Sequence, residues 1–517
     1  MGRSNTRPGD QSIPGSDFLQ LSIGDAPVGG LSAWLAQRLR LAISDGRLPA
    51  GSRLPATRVL AGDLRVSRGV VTEAYQRLIE DGQAAGRGRG GTIVVAAPIA
   101  APAAARQTLP ASQPPSAVFA APPSADVFDS LRTIPARIDL SPGVPDLAAF
   151  PRTAWLRAER SVLSDLSPAG FGYGDPRGAP AFRLAVANWL ARNRGIRVNP
   201  DEVIIVAGVA QALGLLAQAL RHNGICEVAV EDPGSLGTRQ LLQSWQLDTS
   251  PIPVDPAGLR VGELRASGAP AVLLTPAHQF PTGVVLDGQR RRELMQWAND
   301  GGLIIEDDYD AEHRYDRPPV PALRSILAEH VCYAGSVSKI LAPALRVGWV
   351  LAPRKYRDAV VTAKRNADLG SAVLPQLVLA ELMESGQMEH QLRMLRRRHR
   401  RRRDTMIDAI RTHLPRALVH GTAAGLHLMI TFEATFADSD LAAASLARGV
   451  KVQPLSWHTQ RPSQPGLVLG YAARTPTDIS EGIATLGDVL RRLPRAAGNH
   501  DGRKATEAPL PRAGSGH

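Results

Sequence analysis

Residues 96–125 hold 12 alanines and 7 prolines, with Arg106 as their only charge. Such a composition cannot bury a core and reads as a semi-stiff spacer. The chain therefore has to fold as separate bodies on either side of it, and 517 residues are enough for two. The division that follows is a lead segment, 1–30; a compact basic block, 31–95; a linker, 96–135; a large block, 136–497; and a tail rich in Gly, Pro and charge, 498–517, that reads as disordered.

Charge and cysteine usage exclude several classes. Lys and Arg number 60 against 48 Asp and Glu, a net charge of +12. Cys226 and Cys332 stand far apart, with no CxxC and no histidine cluster along the sequence, which argues against a disulfide framework and a structural zinc site; no metal is expected, and the compartment reads as reducing. The start MGRSNTRPGDQSIPG lacks the apolar stretch of a signal peptide. Apolar runs elsewhere have strand length, well below the roughly 20 residues that span a bilayer. The expectation is a cytoplasmic protein with no membrane partner.

In the basic block, Leu31, Leu35, Leu39, Ala42 and Ile43 recur at helical spacing, and a short helix begins near Thr57. Leu64-Arg-Val-Ser67 breaks the chain before a further helix, with Ser67 as N-cap and Val70, Val71, Ala74, Tyr75, Leu78 and Ile79 as its buried face. That is helix-turn-helix spacing. Gly86 to Val95 reads as a β-hairpin whose tip carries Arg87 and Arg89. The block holds 10 arginines against 5 acidic residues, the excess that phosphate contacts need. In such folds the start of the second helix enters the major groove, which brings Ser67, Arg68 and Thr72 to base edges and leaves Arg53, Arg58, Arg87 and Arg89 to grip phosphate or the minor groove. Charge alone fits a solvated basic surface equally well. The order of RLP-x-x-R, VSR and a final glycine-rich GT, however, resembles the winged helix-turn-helix of the GntR family.

The large block alternates strand-length runs, apolar on both faces, with helical segments: 203–207, 226–230, 271–275, 303–305 and 331–334. This predicts an α/β fold with a mainly parallel sheet flanked by helices, whose ligands lie beyond the carboxyl ends of the strands. Polar residues follow the strands there. Gly208, Val209, Ala210 and Gln211 open a helix whose N–H groups can hold an anion. His278-Gln-Phe-Pro-Thr-Gly283 follows the third run, Glu306-Asp-Asp-Tyr-Asp310 the fourth, and Gly335-Ser-Val-Ser-Lys339 with Arg346 the fifth. Any one of these has an ordinary explanation as a cap or a surface ion pair. Together they supply what pyridoxal 5′-phosphate (PLP) needs: Lys339 to form the Schiff base, Asp307 for the pyridinium, Tyr309 for the phenolate oxygen, and Ser336, Ser338 and Arg346 with the helix start for the phosphate.

The order PTG, D-x-Y, S-x-S-K and Arg is similar to fold-type I aminotransferases. The forms HQFPTG, EDDYDAEHRY and GSVSKILAPALRVGW resemble the MocR group, in which a GntR-type reader precedes an aminotransferase-like domain with a small C-terminal subdomain. The resemblance implies a head-to-tail homodimer that binds double-stranded promoter DNA and senses PLP or its amine adduct, controlling genes of vitamin B6 or amine and amino-acid metabolism. Three departures bear on catalysis. Ser235 stands where an aromatic residue commonly follows Pro-Gly, the phosphate turn from Ala207 to Ala210 has no hydroxyl, and Val468 stands where aminotransferases place the arginine for a substrate carboxylate. These favour a sensor over an efficient enzyme, the alternative being an active aminotransferase that carries a DNA-binding domain; a ligand-independent scaffold with a vestigial large domain fits least. Arg396 to Arg403, the densest charge run, is either a second DNA contact or a solvated helix face.

Overall fold

The computed structural model describes residues 26–95 and 115–493, apart from 28–29, 45–46, 82, 87, 89–90, 316–319 and 434–435. The hairpin-tip residues Arg87 and Arg89 lie outside the described residues, as does the tail from 498. Two units divide the chain, Met1–Ser112 and Gln113–His517.

In the first unit, α1 (Leu31–Ser44), α2 (Thr57–Asp63) and α3 (Arg68–Glu80) precede the antiparallel pair β1 (Ala84–Gly86) and β2 (Thr92–Val94). The periodic residues close one core of Leu35, Leu39, Ile43, Leu60, Val71, Tyr75 and Leu78. Arg65 takes a left-handed conformation, φ 51°, which turns the chain between α2 and α3. The pair starts earlier than the expected hairpin, because Ala84 and Val94 face each other and are both buried in this core.

The second unit contains β3 (Ile138–Asp139), β4 (Ile204–Val206), β5 (Glu227–Asp232), β6 (Asp248–Asp255), β7 (Gly258–Leu259), β8 (Ala271–Leu274), β9 (Leu303–Asp308), β10 (Val331–Ser336) and β11 (Gly348–Leu351). Eight of these form one sheet in the order β4-β11-β10-β9-β8-β5-β6-β7. Every predicted run is a strand, and β10, β9, β8, β5 and β6 are mutually parallel. Only β11 and the edge strand β7 run against their neighbours. The sequence reading missed β6, which contains Pro251 and Pro253, residues that cannot donate to a ladder and normally argue against a strand. Here β6 pairs along its length with β5 and is covered on its other side only by the short β7.

A smaller antiparallel sheet, β12 (Ala417–His420), β13 (His427–Phe432), β16 (Gly466–Gly470) and β15 (Gln453–Pro454), forms the C-terminal part, and β14 (Val450–Lys451) pairs with β3. Its core includes residues from the stretch read as linker. Phe119, Val127 and Leu131 are buried there, and Phe119 stacks on Trp457 at 5.2 Å. The second half of 96–135 is thus packed structure, because three apolar side chains spaced along an Ala- and Pro-rich segment found a tertiary partner that composition does not reveal.

Candidate cofactor pocket and DNA interface

Because β9 and β10 are parallel and in register, Ala334 opposite Asp307 and Gly335 opposite Asp308, the residues after both strands emerge on the same edge of the sheet. Successive side chains of β9 point to opposite faces, and the two aspartates have different fates. Asp308 accepts from the Arg194 Nε at 2.5 Å and from the Tyr333 hydroxyl at 2.5 Å, a sealed ion pair that ties a helix to the sheet. The Oδ1 of each is shut off from solvent with no hydrogen-bond partner, but Asp308 is compensated through its Oδ2 whereas Asp307 makes no ion pair among the described residues, which leaves the charge at the Asp307 Oδ1 unanswered. An unpaired buried carboxylate oxygen is costly, so this atom calls for a cation.

Burial, reinforced by Asp308 and Asp310 and opposed by Lys339, pushes the Asp307 carboxyl up to about 7. Burial lowers the Lys339 ammonium from its ordinary value, with Asp310 and Asp307 opposing. The lysine amine is therefore easier to deprotonate than one in water, as a nucleophile requires. Lys339 Nζ donates to the Gly143 carbonyl at 2.5 Å, a contact that no sequence signal near residue 143 announced. Tyr309 is pushed well above its ordinary value by burial, so it keeps its proton and acts as a donor.

The expected anion cradle lies where β4 and β10 end and β11 begins. Gly208, φ 88°, caps the helix Val209–His222, and a Cβ there would lie 3.3 Å from the Arg346 guanidinium, which also donates to the Ala207 carbonyl. A Cβ on Gly348 would come within 3.1 Å of the Gly208 Cα and of the Ser336 Cβ, so only glycine lets these segments meet. Ser336 is buried and its Oγ accepts from the Ser338 N–H. Gln211 is used differently from the expectation. Its carboxamide accepts from the Ala207 N–H and from the buried Lys364 and donates to Asp368, so only its backbone N–H is left for an anion.

The departures also have local explanations. Ser235 caps the helix Leu236–Ser244 by accepting from the Thr238 N–H. Val468 is buried in β16 against Met429, Leu455 and Phe280, with no cation in its place. Arg461 donates to the Pro251 carbonyl of β6, whereas Arg474 donates to the Asp139 carbonyl, four residues before Gly143. The arginine run lies in the helix Gln387–His413 and is mixed in use: Arg398 and Arg402 clamp the buried Asp146, Arg403 covers the Tyr315 ring at 4.9 Å, and Arg397, Arg400 and Arg401 are exposed.

Sequence reasoning quoted His278 and Asp310 without giving them roles. His278 Nδ1 lies 3.0 Å from both the Tyr309 hydroxyl and Asp310 Oδ2. His427 comes close enough that ligand atoms of the three residues lie within 4.8 Å of one another. His278 Nδ1 is shared between Tyr309 and Asp310 and His427 Nε2 meets the Pro281 carbonyl, whereas His278 Nε2 has no partner.

In the first unit, Ser67 Oγ accepts from the Val70 N–H and starts α3. Arg68 is exposed and its Nε donates to Thr57 Oγ1 at 3.2 Å, which links the start of α3 to that of α2. Thr72 is exposed, with its hydroxyl turned back to the Arg68 carbonyl. Arg58 is exposed on α2, and Arg53 lies along β2, its guanidinium 3.0 Å from where a Gly91 Cβ would be.

Fold and site together define a DNA-reading winged helix-turn-helix joined to a fold-type I, PLP-binding domain. Residues 31–94 match the family described as bacterial regulatory proteins, gntR family, and residues 136–486 match aminotransferase class I and II. The chain belongs to the family that fuses these two modules, the MocR-type transcriptional regulators. It is 32% identical to the probable rhizopine catabolism regulatory protein MocR of Rhizobium meliloti, over 92% of this chain and 96% of that one. It is 29% identical to the pyridoxine biosynthesis transcriptional regulator PdxR of Corynebacterium glutamicum, over 88% and 95%. Among solved structures, the multiple substrate aminotransferase of Thermococcus profundus matches with a TM-score of 0.65 at 26% identity, over 71% of this chain and 95% of that one.

Proposed function

We propose that this regulator reads promoter DNA with Ser67, Arg68 and Thr72, steadied by Arg53 and Arg58, and that occupancy of the large-domain pocket by PLP, alone or joined to an amine, changes that reading. The unpaired Asp307 Oδ1 carries the proposal. Asp307 and Lys339 feel each other's charge, and a ligand with a cationic ring nitrogen and an aldehyde answers both. When bound, the group would supply an aldehyde that the Lys339 amine, or an amine effector in its place, could take up with loss of water. Asp307 would hold the ring-nitrogen proton, Tyr309 would donate to the ring oxygen, and Arg346, Ser336, Ser338 and the N–H groups from Gly208 to Gln211 would hold the phosphate.

The cytoplasm is the site of action. Two chains pair head to tail through an apolar surface: Leu156, Leu163, Phe171 and Leu369 are exposed, and Tyr173 is 94% exposed. Sensing is favoured over turnover by Val468, since without a carboxylate clamp there a keto acid for the second half-reaction is held poorly. The roles of the relatives, in pyridoxine biosynthesis and rhizopine catabolism, support control of vitamin B6 or amine metabolism.

The test mixes purified protein with PLP. A visible-range band is expected that Lys339→Ala abolishes, and adding PLP should change the affinity for the chain's own promoter in the parent but not in the variant. A band that survives the substitution overturns the pocket assignment. Multiple turnover of an amino acid with a keto acid overturns the sensor reading in favour of the enzyme.

A further inference from the structure

Tyr309 has a single proton to give. A phenol beside a buried carboxylate donates to that carboxylate in preference to anything weaker, since charge-assisted hydrogen bonds are about twice as strong as neutral ones. Asp310 is such a competitor. Its side chain is 1% exposed and within hydrogen-bonding reach of the Tyr309 hydroxyl. The proton of Tyr309 would be lost to the ring oxygen of a bound cofactor unless something else satisfied Asp310.

His278 is placed to do this. Its ring is wedged between two left-handed glycines: a Cβ on Gly425, φ 84°, would meet His278 Cε1 at 2.0 Å, and one on Gly283, φ 70°, would meet Nε2 at 3.1 Å. Gly425 is fixed in turn, because its carbonyl accepts from the Tyr315 and Tyr471 hydroxyls. Nε2 is buried and has no partner. A proton there would have no acceptor, whereas one on Nδ1 has Asp310 Oδ2 at 3.0 Å, so the ring proton sits on Nδ1.

We infer that His278 is a positioning residue: by donating its Nδ1 proton to Asp310 Oδ2 it weakens that carboxylate's hold on the Tyr309 hydroxyl, and so turns more of the Tyr309 proton toward the ring oxygen of the cofactor. The inference rests on the PLP reading and deepens it. The other titratable groups facing the tyrosine and histidine are Asp307, Glu231, His427, His313 and Lys339.

The test is a pH titration of the visible band of the PLP-loaded full chain. Losing a donor to the ring oxygen makes that oxygen hold its proton more tightly, so His278→Ala should raise the midpoint by about one pH unit. His278→Asn should restore it, since the Asn amide can donate to Asp310 from nearly the same place. Tyr309→Phe should raise the midpoint similarly, and adding His278→Ala to it should add nothing, because both act through one hydroxyl. An equal shift from His278→Ala in the Tyr309→Phe background overturns the inference, as does an unchanged midpoint in His278→Ala alone. A midpoint moved by a chelator also overturns it, in favour of a metal held by the cluster. Should the parent show no band at all, the PLP reading itself fails, and the inference with it. Near-ultraviolet circular dichroism and melting of His278→Asn check that the fold is intact.

Discussion

The proposed DNA-reading surface and the proposed cofactor pocket both handle phosphate, but by opposite physical means. The reader presents Arg58, Ser67, Arg68 and Thr72 in water within a short stretch of chain, with side chains held by local bonds such as Arg68 to Thr57. The pocket collects Gly143, Gly208, His278, Asp307 and Lys339 from separate segments and leaves the Asp307 Oδ1 and the His278 Nε2 unpaired. Exposed arginines work by displacing counterions, whereas buried groups work because desolvation penalises them until a ligand arrives. A surface of the first kind is stable empty; one of the second kind is not.

The largest expected difference is in salt dependence. Promoter affinity should fall by about 10³-fold or more between 50 and 200 mM salt, given at least six phosphate contacts. PLP affinity, which depends on buried groups and a single exposed arginine, should change by less than about tenfold. Parallel titrations of the two ligands measure this, and equal slopes would erase the distinction.

Next in size, Arg68→Ala should weaken promoter binding by about 1–3 kcal/mol while leaving random DNA nearly unaffected, if the guanidinium reads a base. Competition assays on both DNAs decide it. Equal losses reassign Arg68 to phosphate and widen the reader's non-specific share.

The last effect concerns the stability of the empty pocket. The folded Asp307 carboxyl is raised to about 7, so the folded state binds a proton more readily than the unfolded one and Asp307 destabilises progressively as pH rises from about 4 to 7. Without ligand, Asp307→Asn should therefore match the parent near pH 4 and exceed it increasingly as pH rises, by up to about 4 kcal/mol at pH 8. Melting curves across that range check the sign. A gap that widens toward acid would mean that Asp307 is already paired in the empty protein.

The two regions were unequally legible. The reader could be read almost whole, because helix starts, caps and the buried face of α3 depend on residues within a few turns of one another. For the proposed pocket, the sequence supplied the candidates: Lys339, Asp307, Tyr309 and Arg346 lie at or after strands that a run of apolar residues announces. It did not distinguish Asp307 from Asp308 by environment, and the partner of Asp308, Arg194, is more than a hundred residues away. Nor did it assign His278, whose role depends on Gly425 and Asp310, or reveal that Phe119, Val127 and Leu131 would leave a nominal spacer for the core beside Trp457.

Sequence by itself settled what can be expressed as spacing along the chain: two bodies, a helix-turn-helix with its caps, a largely parallel sheet, and a set of reactive side chains at strand ends. Tertiary structure alone decided which of those side chains are satisfied and which are left waiting. Periodicity and capping are short-range properties of a backbone, whereas the pairing of a buried charge is settled by whichever distant segment packs against it.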